Sequence, residues 1–162
     1  MRAICSFVSL LFAAAATSQG VVDIGLRLAE TSMLPAMSGQ ECGPATCAAL
    51  PAGTITRGAS VTIVHQSAAV TPFAIGVALP GPCTVVPGIA NSLLLGAGLE
   101  ILTLSVTSAP PFRALQCDQG LAIITIDVPN NLPVGLQLRV QSLGWSIQGV
   151  PGFGPALDVT VQ

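Results

Sequence analysis

The chain has 162 residues, of which 51% are hydrophobic and only 7% are charged, and its formal net charge is −2. Its five basic residues are single, scattered arginines, and lysine is absent. A chain without a basic patch cannot neutralise a run of phosphates, so the composition argues against nucleic-acid binding and against recruitment to anionic membranes. Abundant apolar residues with many glycines and prolines predict a folded domain rich in short strands and turns.

Residues 1–19 are predicted to be a secretory signal peptide. Arg2 supplies the basic start, and Ile4 to Ala16 form an apolar run too short to span a membrane. The small residues of Ala16-Thr17-Ser18 favour cleavage just afterwards, and Ala13-Ala14-Ala15 is an alternative. The mature chain is therefore expected to be secreted or to lie at the cell surface.

Four cysteines remain once the signal peptide is removed: Cys42, Cys47, Cys83 and Cys117. An even number in an oxidising compartment favours two disulfides, for which three pairings are possible. The Gly-Pro turn between the first two favours Cys42–Cys47, which leaves Cys83–Cys117 as the second bridge. The alternatives are free or intermolecular thiols and a four-cysteine zinc site, but such zinc sites usually contain two closely spaced pairs and this sequence has only one.

Strand-like alternation of apolar and polar residues recurs along the chain. In the predicted N-terminal strand or extension, residues 20–41, it runs from Val22 to Leu28. In the predicted disulfide-stabilised domain, residues 42–162, it runs from Phe73 to Leu79, from Val134 to Gln141 and from Leu157 to Gln162. Period-two alternation is typical of strands with one covered face.

Two further segments, Leu99 to Val106 and Leu121 to Val128, are more continuously apolar and predict central strands covered on both faces. Turn signals such as Pro87-Gly88 and Pro151-Gly152 separate the runs. Together they predict an all-β fold, a single antiparallel β-sandwich of immunoglobulin-like or jelly-roll-like type with about seven to nine strands.

The apolar stretch from Ile89 to Val106 is long enough to be mistaken for a membrane span. Glu100 lies in it, and an acidic residue well inside a spanning helix is strongly unfavourable. Gly96 and Gly98 divide the stretch into two pieces of strand length. No membrane span is therefore predicted after signal cleavage.

Residues for catalysis are scarce. His65 is the only histidine, and on its predicted strand it shares a face with Val61 and Ile63, as expected for a hydrogen-bonded histidine at the rim of the core. No Gly-x-Ser-x-Gly motif occurs, and without lysine neither a Ser-Lys dyad nor a Schiff base can form. The sequence predicts no enzyme, no catalytic residues and no cofactor; a hydrolase is the distant alternative.

Two places carry weak binding signals. Asp127, Asn130 and Asn131 present oxygen ligands of the kind that calcium prefers, although a plain turn explains them better. Trp145 is expected to anchor the hydrophobic core, and its alternative interpretation is a contact with a sugar ring.

Four segments together carry a family resemblance: Cys42-Gly43-Pro44, Ser60 to Ser67, Ile124 to Leu143 and Ala156 to Gln162. In this order they resemble a recurrent domain at the C-terminal end of uncharacterised secreted proteins of planctomycete type. The resemblance covers residues 42–162 and implies a small extracellular bacterial β-sandwich with no catalytic residues to carry over.

These observations predict a secreted, non-catalytic module with a structural, adhesive or surface-interaction role and an extracellular or cell-surface partner. The alternative is a weak carbohydrate- or calcium-binding module. Because charged residues normally protect sheet edges and this chain has few, self-association is also expected.

Overall fold

The alternating segments of the sequence form strands in the computed structural model, which describes residues 22–33, 36–41, 45–109 and 119–162. These residues contain eleven strands and a short 3₁₀ helix, Thr31–Met33. The strands are β1 Gly25–Glu30, β2 Ser38–Gln40, β3 Leu50–Ile55, β4 Ser60–Ala68, β5 Pro72–Ala78, β6 Pro80–Val85, β7 Ser92–Leu95, β8 Glu100–Val106, β9 Gln119–Asp127, β10 Gln137–Trp145 and β11 Pro151–Val161. The all-β class is confirmed, with more strands than the sequence predicts.

The strands form two main sheets and a separate hairpin. The first sheet has the order β2-β1-β4-β9, the second has the order β3-β11-β10-β5-β8, and β6 pairs only with β7. The neighbouring strands are antiparallel except for β3 and β11, which run parallel with Leu50 opposite Leu157. The predicted antiparallel sandwich is therefore confirmed, with this one parallel pair in it.

The hydrophobic core lies between the two main sheets. Leu26 and Ile63 contribute to it from the first sheet, and Ile75, Val140 and Leu157 contribute from the second. The alternation predicted near the C-terminal end is confirmed, because the apolar positions of β11 are buried while the polar positions between them are partly exposed.

The prediction of two central, fully covered strands is wrong, since β8 and β9 are each the last described strand of a sheet. Leu104 of β8 is 74% exposed and Ile123 of β9 is 65% exposed. In β8 the pairing with β5 places Thr103 opposite the buried Ile75, which turns Leu104 outward. A continuous apolar run has no period, so it does not show which of its side chains will be covered.

Other expectations differ from the structure in smaller ways. Segment 20–41 supplies β1 and β2 of the first sheet. The alternation that begins at Val134 becomes a strand only from Gln137, and Val134 lies exposed in the preceding turn. The predicted signal peptide lies outside the described residues. Within them, no helix has the length and apolar character needed to cross a membrane.

The β6–β7 hairpin covers part of the outer face of the second sheet through polar contacts. The guanidinium of Arg139 forms two hydrogen bonds with the carboxylate of Asp158, at 2.6 and 2.9 Å, and also donates to the carbonyls of Gly81 and Leu94. The hydrogen bond to Asp158 raises the pKa of Arg139 further. The buried amide of Gln141 accepts from the backbone N–H of Leu94. These directional bonds fix the hairpin in one position on the sheet.

Candidate functional site

The side of the sandwich formed by β8 and β9, called the open side below, holds the features best suited to an interaction. Among the described residues, the two edges are joined by one pair of backbone hydrogen bonds between Ser108 and Leu121, both 2.9 Å long. At the other end of the two strands, Glu100 and Asp127 line the same cavity. The open side thus leads from solvent into the space between the sheets.

This cavity, called the seam cavity below, has a volume of about 370 Å³. Its walls are almost entirely aliphatic, with Val61 and Ile126 from the first sheet and Val77 and Val140 from the second among the lining residues. The ionisable residues that line it are Glu100 and Asp127, and both are exposed to solvent. The cavity is therefore an apolar space with two carboxylates at its solvent-facing end.

A second concavity of about 420 Å³ lies along the same side, nearer the Ser108–Leu121 pair. Its lining mixes hydroxyl groups, such as those of Thr103 and Ser105, with apolar side chains such as Phe73 and Ile124. It is a more polar and more open surface than the seam cavity.

The outer surface of the open side carries a row of exposed aliphatic residues. Those of β8 and the turn before it are Leu99, Ile101, Leu104 and Val106, and Ile123 is the exposed one in β9. Neither strand contains lysine, arginine or proline, and each has one carboxylate, at Glu100 and Asp127. Exposed large apolar residues on an edge strand mark a site of interaction or aggregation.

His65 lies in the interior and is fully buried, deeper than the rim position predicted from the sequence. Its Nε2 is 3.0 Å from Oγ of the buried Ser67, and its ring stacks on Phe73 with the centroids 4.6 Å apart. Nδ1 has no hydrogen-bond partner in the described part of the chain. Burial lowers the pKa of His65 to about 4, so the ring is neutral near pH 7.

The 3.0 Å distance between Nε2 of His65 and Oγ of Ser67 is that of a serine nucleophile and its histidine base, but the other requirements of catalysis are not met. A catalytic serine needs access to substrate and a group that orients the histidine. Both residues are buried, and no carboxylate among the described residues bonds Nδ1. The arrangement instead serves the contact between the sheets, where Gly144 of β10 leaves room for the ring: a Cβ there would lie 3.0 Å from it.

The residues with weak binding signals do not converge on a ligand site. The carboxylate of Asp127 accepts a 2.6 Å hydrogen bond from the hydroxyl of Ser60, and the amide oxygen of Asn130 lies against Gly58. Asn131 continues the turn that follows β9. Within the described ranges, no three His, Cys, Asp or Glu side chains are grouped to hold a metal ion.

Trp145 lies at the end of β10 and is half-buried, opposite Pro151 of β11. It belongs to neither of the two hydrophobic clusters formed by the described residues. Its position therefore does not correspond to the core anchor that the sequence suggested.

The disulfide pairing preferred from the sequence is wrong, because Cys47 is bonded to Cys83 with a Cα–Cα distance of 5.3 Å. The bridge ties the segment before β3 to β6 of the hairpin, where Cys47 also lies near Ser92 of β7. Local turn chemistry favoured a short loop, whereas the fold brings distant segments together. Cys42 and Cys117 lie outside the described residues. The bonded pair cannot serve as zinc thiolates.

No family model matches the chain, and no curated protein matches it in sequence.

Proposed function

We propose that this protein is a secreted, non-catalytic module with a structural or adhesive role, and that the open side is its contact surface. The Cys47–Cys83 bridge supports export, since disulfides persist in oxidising compartments. The buried position of His65 and Ser67, away from solvent, supports a role without catalysis.

The observation that carries the proposal is that β8 and β9 are edge strands, with no further strand beside them among the residues that the structure describes. Natural sheets shield their edges with short strands, charges, prolines or bulges. β9 is nine residues long and keeps its register with β4 without a shift, and its one charge, Asp127, stands at the end. β8 has a single irregularity, near Leu102, and carries no charged residue beyond it. Such edges are suited to pairing with another strand.

A second copy of the chain is the partner that these edges fit best. Two β9 strands related by a two-fold axis can pair antiparallel, which extends the first sheet across the interface. Ser108 already bonds the backbone of Leu121 at one end of β9. The stretch from Ile123 to Asp127 lies beyond this contact and is the part of the edge assigned to pairing with the second copy. The small net charge adds little repulsion between copies.

The proposal is tested by measuring mass in solution over a wide concentration range, by light scattering and by sedimentation velocity. We expect the exported protein to form dimers or larger assemblies as its concentration rises. Ile123→Lys and Leu104→Lys each place a charge on an edge strand, and we expect both variants to remain monomeric at concentrations where the wild type associates.

The matched control is Ile147→Lys, since Ile147 is 64% exposed but lies in the turn between β10 and β11. It is expected to associate like the wild type. A wild type that stays monomeric at every concentration, or a control that dissociates as fully as the edge variants, would contradict this assignment of the surface.

Export is tested separately by the intact mass of the protein recovered from the medium. A chain that starts near Gln19 and whose thiols become reactive only after reduction supports secretion. An uncleaved chain with thiols that react without reduction contradicts it.

A further inference from the structure

We propose that the seam cavity is a binding site for an apolar small molecule whose polar end is uncharged or cationic. The inference concerns the space between the sheets and is independent of the strand pairing proposed above. It rests on the size of the cavity, the chemistry of its walls and the charges at its solvent-facing end.

The size of the seam cavity fits a small ligand. Binding pockets for small molecules span about 300–1,000 Å³, and an apolar cavity of about 150 Å³ is enough to bind benzene. At about 370 Å³, the seam cavity has room for a medium-length aliphatic chain or a small terpene. It has no room for an oligosaccharide or a peptide.

The walls select an apolar body. Leu28 and Ile63 contribute from the first sheet, and Leu138 and Val159 contribute from the second. The backbone groups of these strands are held in the sheet ladders, so they offer few donors or acceptors to a ligand. A polar molecule that entered would lose its bonds to water without replacing them, whereas an aliphatic one would not.

The solvent-facing end selects against an anion. Glu100 and Asp127 are the ionisable residues of the lining. The two arginines nearest in sequence to lining residues on β1 and β10 are engaged elsewhere, Arg27 with Glu41 and Arg139 with Asp158. A carboxylate head group would therefore meet two like charges, and no described residue of the lining is basic. A hydroxyl or an ammonium group would not be repelled.

The position of the cavity also provides a route for entry. Its lining includes the ends of β8 and β9 remote from Ser108 and Leu121, where the edges are bonded to each other. Gly98, in the turn before β8, has a φ of +75° and nothing within 4 Å of where a Cβ would stand. The cavity wall thus borders open space at Gly98, and we place the entry of the ligand at this end.

The test uses displacement of N-phenyl-1-naphthylamine, a neutral apolar fluorophore, from the full exported chain at a concentration where it is monomeric. The competitors are 1-decanol, decylamine and decanoate, which share one alkyl chain and differ in head-group charge. We expect saturable displacement by the alcohol and the amine. Decanoate should bind weaker by about tenfold or more, the effect of like charges a few ångströms from its head group.

Two kinds of variant locate the site. Val77→Phe adds volume inside the cavity and should reduce affinity for the fluorophore and decanol at least several-fold. The pair Glu100→Gln with Asp127→Asn keeps the shape and removes the charges, so it should bring the affinity for decanoate close to that for decanol. The second readout stands even if Val77→Phe does not fold.

The control is Leu104→Ser, which removes an exposed apolar residue outside the cavity lining and should leave all affinities unchanged. Equal binding of decanoate and decanol by the wild type would overturn the inference, as would loss of binding in Leu104→Ser. Retained binding by the monomeric Ile123→Lys variant keeps the result separate from strand pairing.

Discussion

The two sides of the sandwich differ in how their edge strands are protected. The side opposite the open side, called the closed side below, is formed by the edge strands β2 and β3. β2 has only three residues, and β3 contains Pro51 and a glycine, Gly53, with a φ of +88°. β3 also shifts register against β11. On the open side, β8 and β9 are seven and nine residues long and aliphatic. Shortness, proline and irregular register are the usual devices that keep edges apart, and this chain places them almost entirely on one side.

This difference separates two requirements of the fold, stability and the exposure of an edge. The closed side is stabilised by the Cys47–Cys83 bridge, which joins the segment before β3 to the β6–β7 hairpin. The open side keeps apolar side chains in solvent, which contributes nothing to the stability of an isolated copy. We infer that stability resides in the closed side and the interior, and recognition in the open side.

The largest contrast is expected between two leucines. Leu157 is fully buried in β11, whereas Leu104 is mostly exposed in β8. Leu157→Ala should lower the free energy of unfolding by about 3–5 kcal/mol, because it removes core contacts and leaves a cavity. Leu104→Ala should change it by less than about 0.5 kcal/mol. Urea unfolding of both variants measures the difference, and similar losses would contradict the assignment of the two sides.

Loss of the disulfide is the next largest change. The bonded cysteines are 36 positions apart, and the chain-entropy model gives about 3–4 kcal/mol for a loop of this length. The double variant Cys47→Ser with Cys83→Ser should lose about that much stability, while hydrogen exchange in β9 changes little under native conditions.

Peptide mapping of the unreduced protein checks the pairing itself. A linked pair of peptides containing Cys47 and Cys83 is expected. If the mature chain carries a second bridge, elimination assigns it to Cys42 and Cys117. A map that links Cys42 to Cys47 would refute the pairing described here.

Acid should weaken the interior behind the open side. Because the pKa of His65 is about 4 in the folded protein and about 6.5 when unfolded, only the unfolded chain gains the proton as pH falls from 6.5. Stability is therefore complete above pH 6.5 and declines down to about pH 4, by about 3 kcal/mol in all. Denaturant unfolding at a series of pH values measures the slope.

The control for the acid effect is His65→Leu, in which this slope should vanish between pH 6.5 and 4. An unchanged slope would assign the effect to other groups. Because His65 on β4 stacks on Phe73 of β5, hydrogen exchange in the adjacent edge strands β9 and β8 should rise before exchange in β11.

The smallest expected effect concerns Gly144. A methyl group there would lie about as close to the His65 ring as real contacts allow, and it would also approach Ser67. Gly144→Ala should therefore cost about 1–3 kcal/mol, the usual range for overpacking. Gly149→Ala is not a suitable control, because the positive φ of Gly149 would itself strain an alanine. Ala156→Gly in β11 tests the opposite change, the removal of a buried methyl group. An unchanged thermal midpoint in Gly144→Ala would show that the sheets separate slightly to accept the methyl group.

The sequence predicts the strands best where one face is covered and the other is wet. The period-two pattern matches burial at the end of β11, from Leu157 to Val161, where apolar positions are buried and polar ones are partly exposed. β1 alternates in sequence but is buried at every position except Arg27, and in β5 the alternation ends at the irregularity after Ile75. The runs that became β8 and β9 are apolar on both faces, and composition alone cannot distinguish a strand between two layers from an unprotected edge. This is why the open side could not be predicted.

Local sequence patterns could not predict the candidate site either. The seam cavity is built from residues of both sheets that are distant in sequence, such as Leu28 and Val159, and no spacing rule connects them. Similarly, the pairing of Cys47 with Cys83 depends on where the hairpin lies, which the number and spacing of cysteines do not determine. The sequence shows that His65 is the only histidine, which limits the chemistry available to the chain. It did not predict that His65 is fully buried.

The parallel pairing of β3 with β11 has a consequence for how the chain folds. The ribosome completes Leu50 more than a hundred residues before its partner Leu157. β11 lies between β3 and β10, so the second sheet cannot close until β11 has been synthesised. Such non-local pairing is slow and leaves strand edges exposed during folding. β1 and β4, in contrast, are close in sequence and can pair early. During synthesis, β1 and β4 can therefore already be paired while β3 still lacks its partner β11.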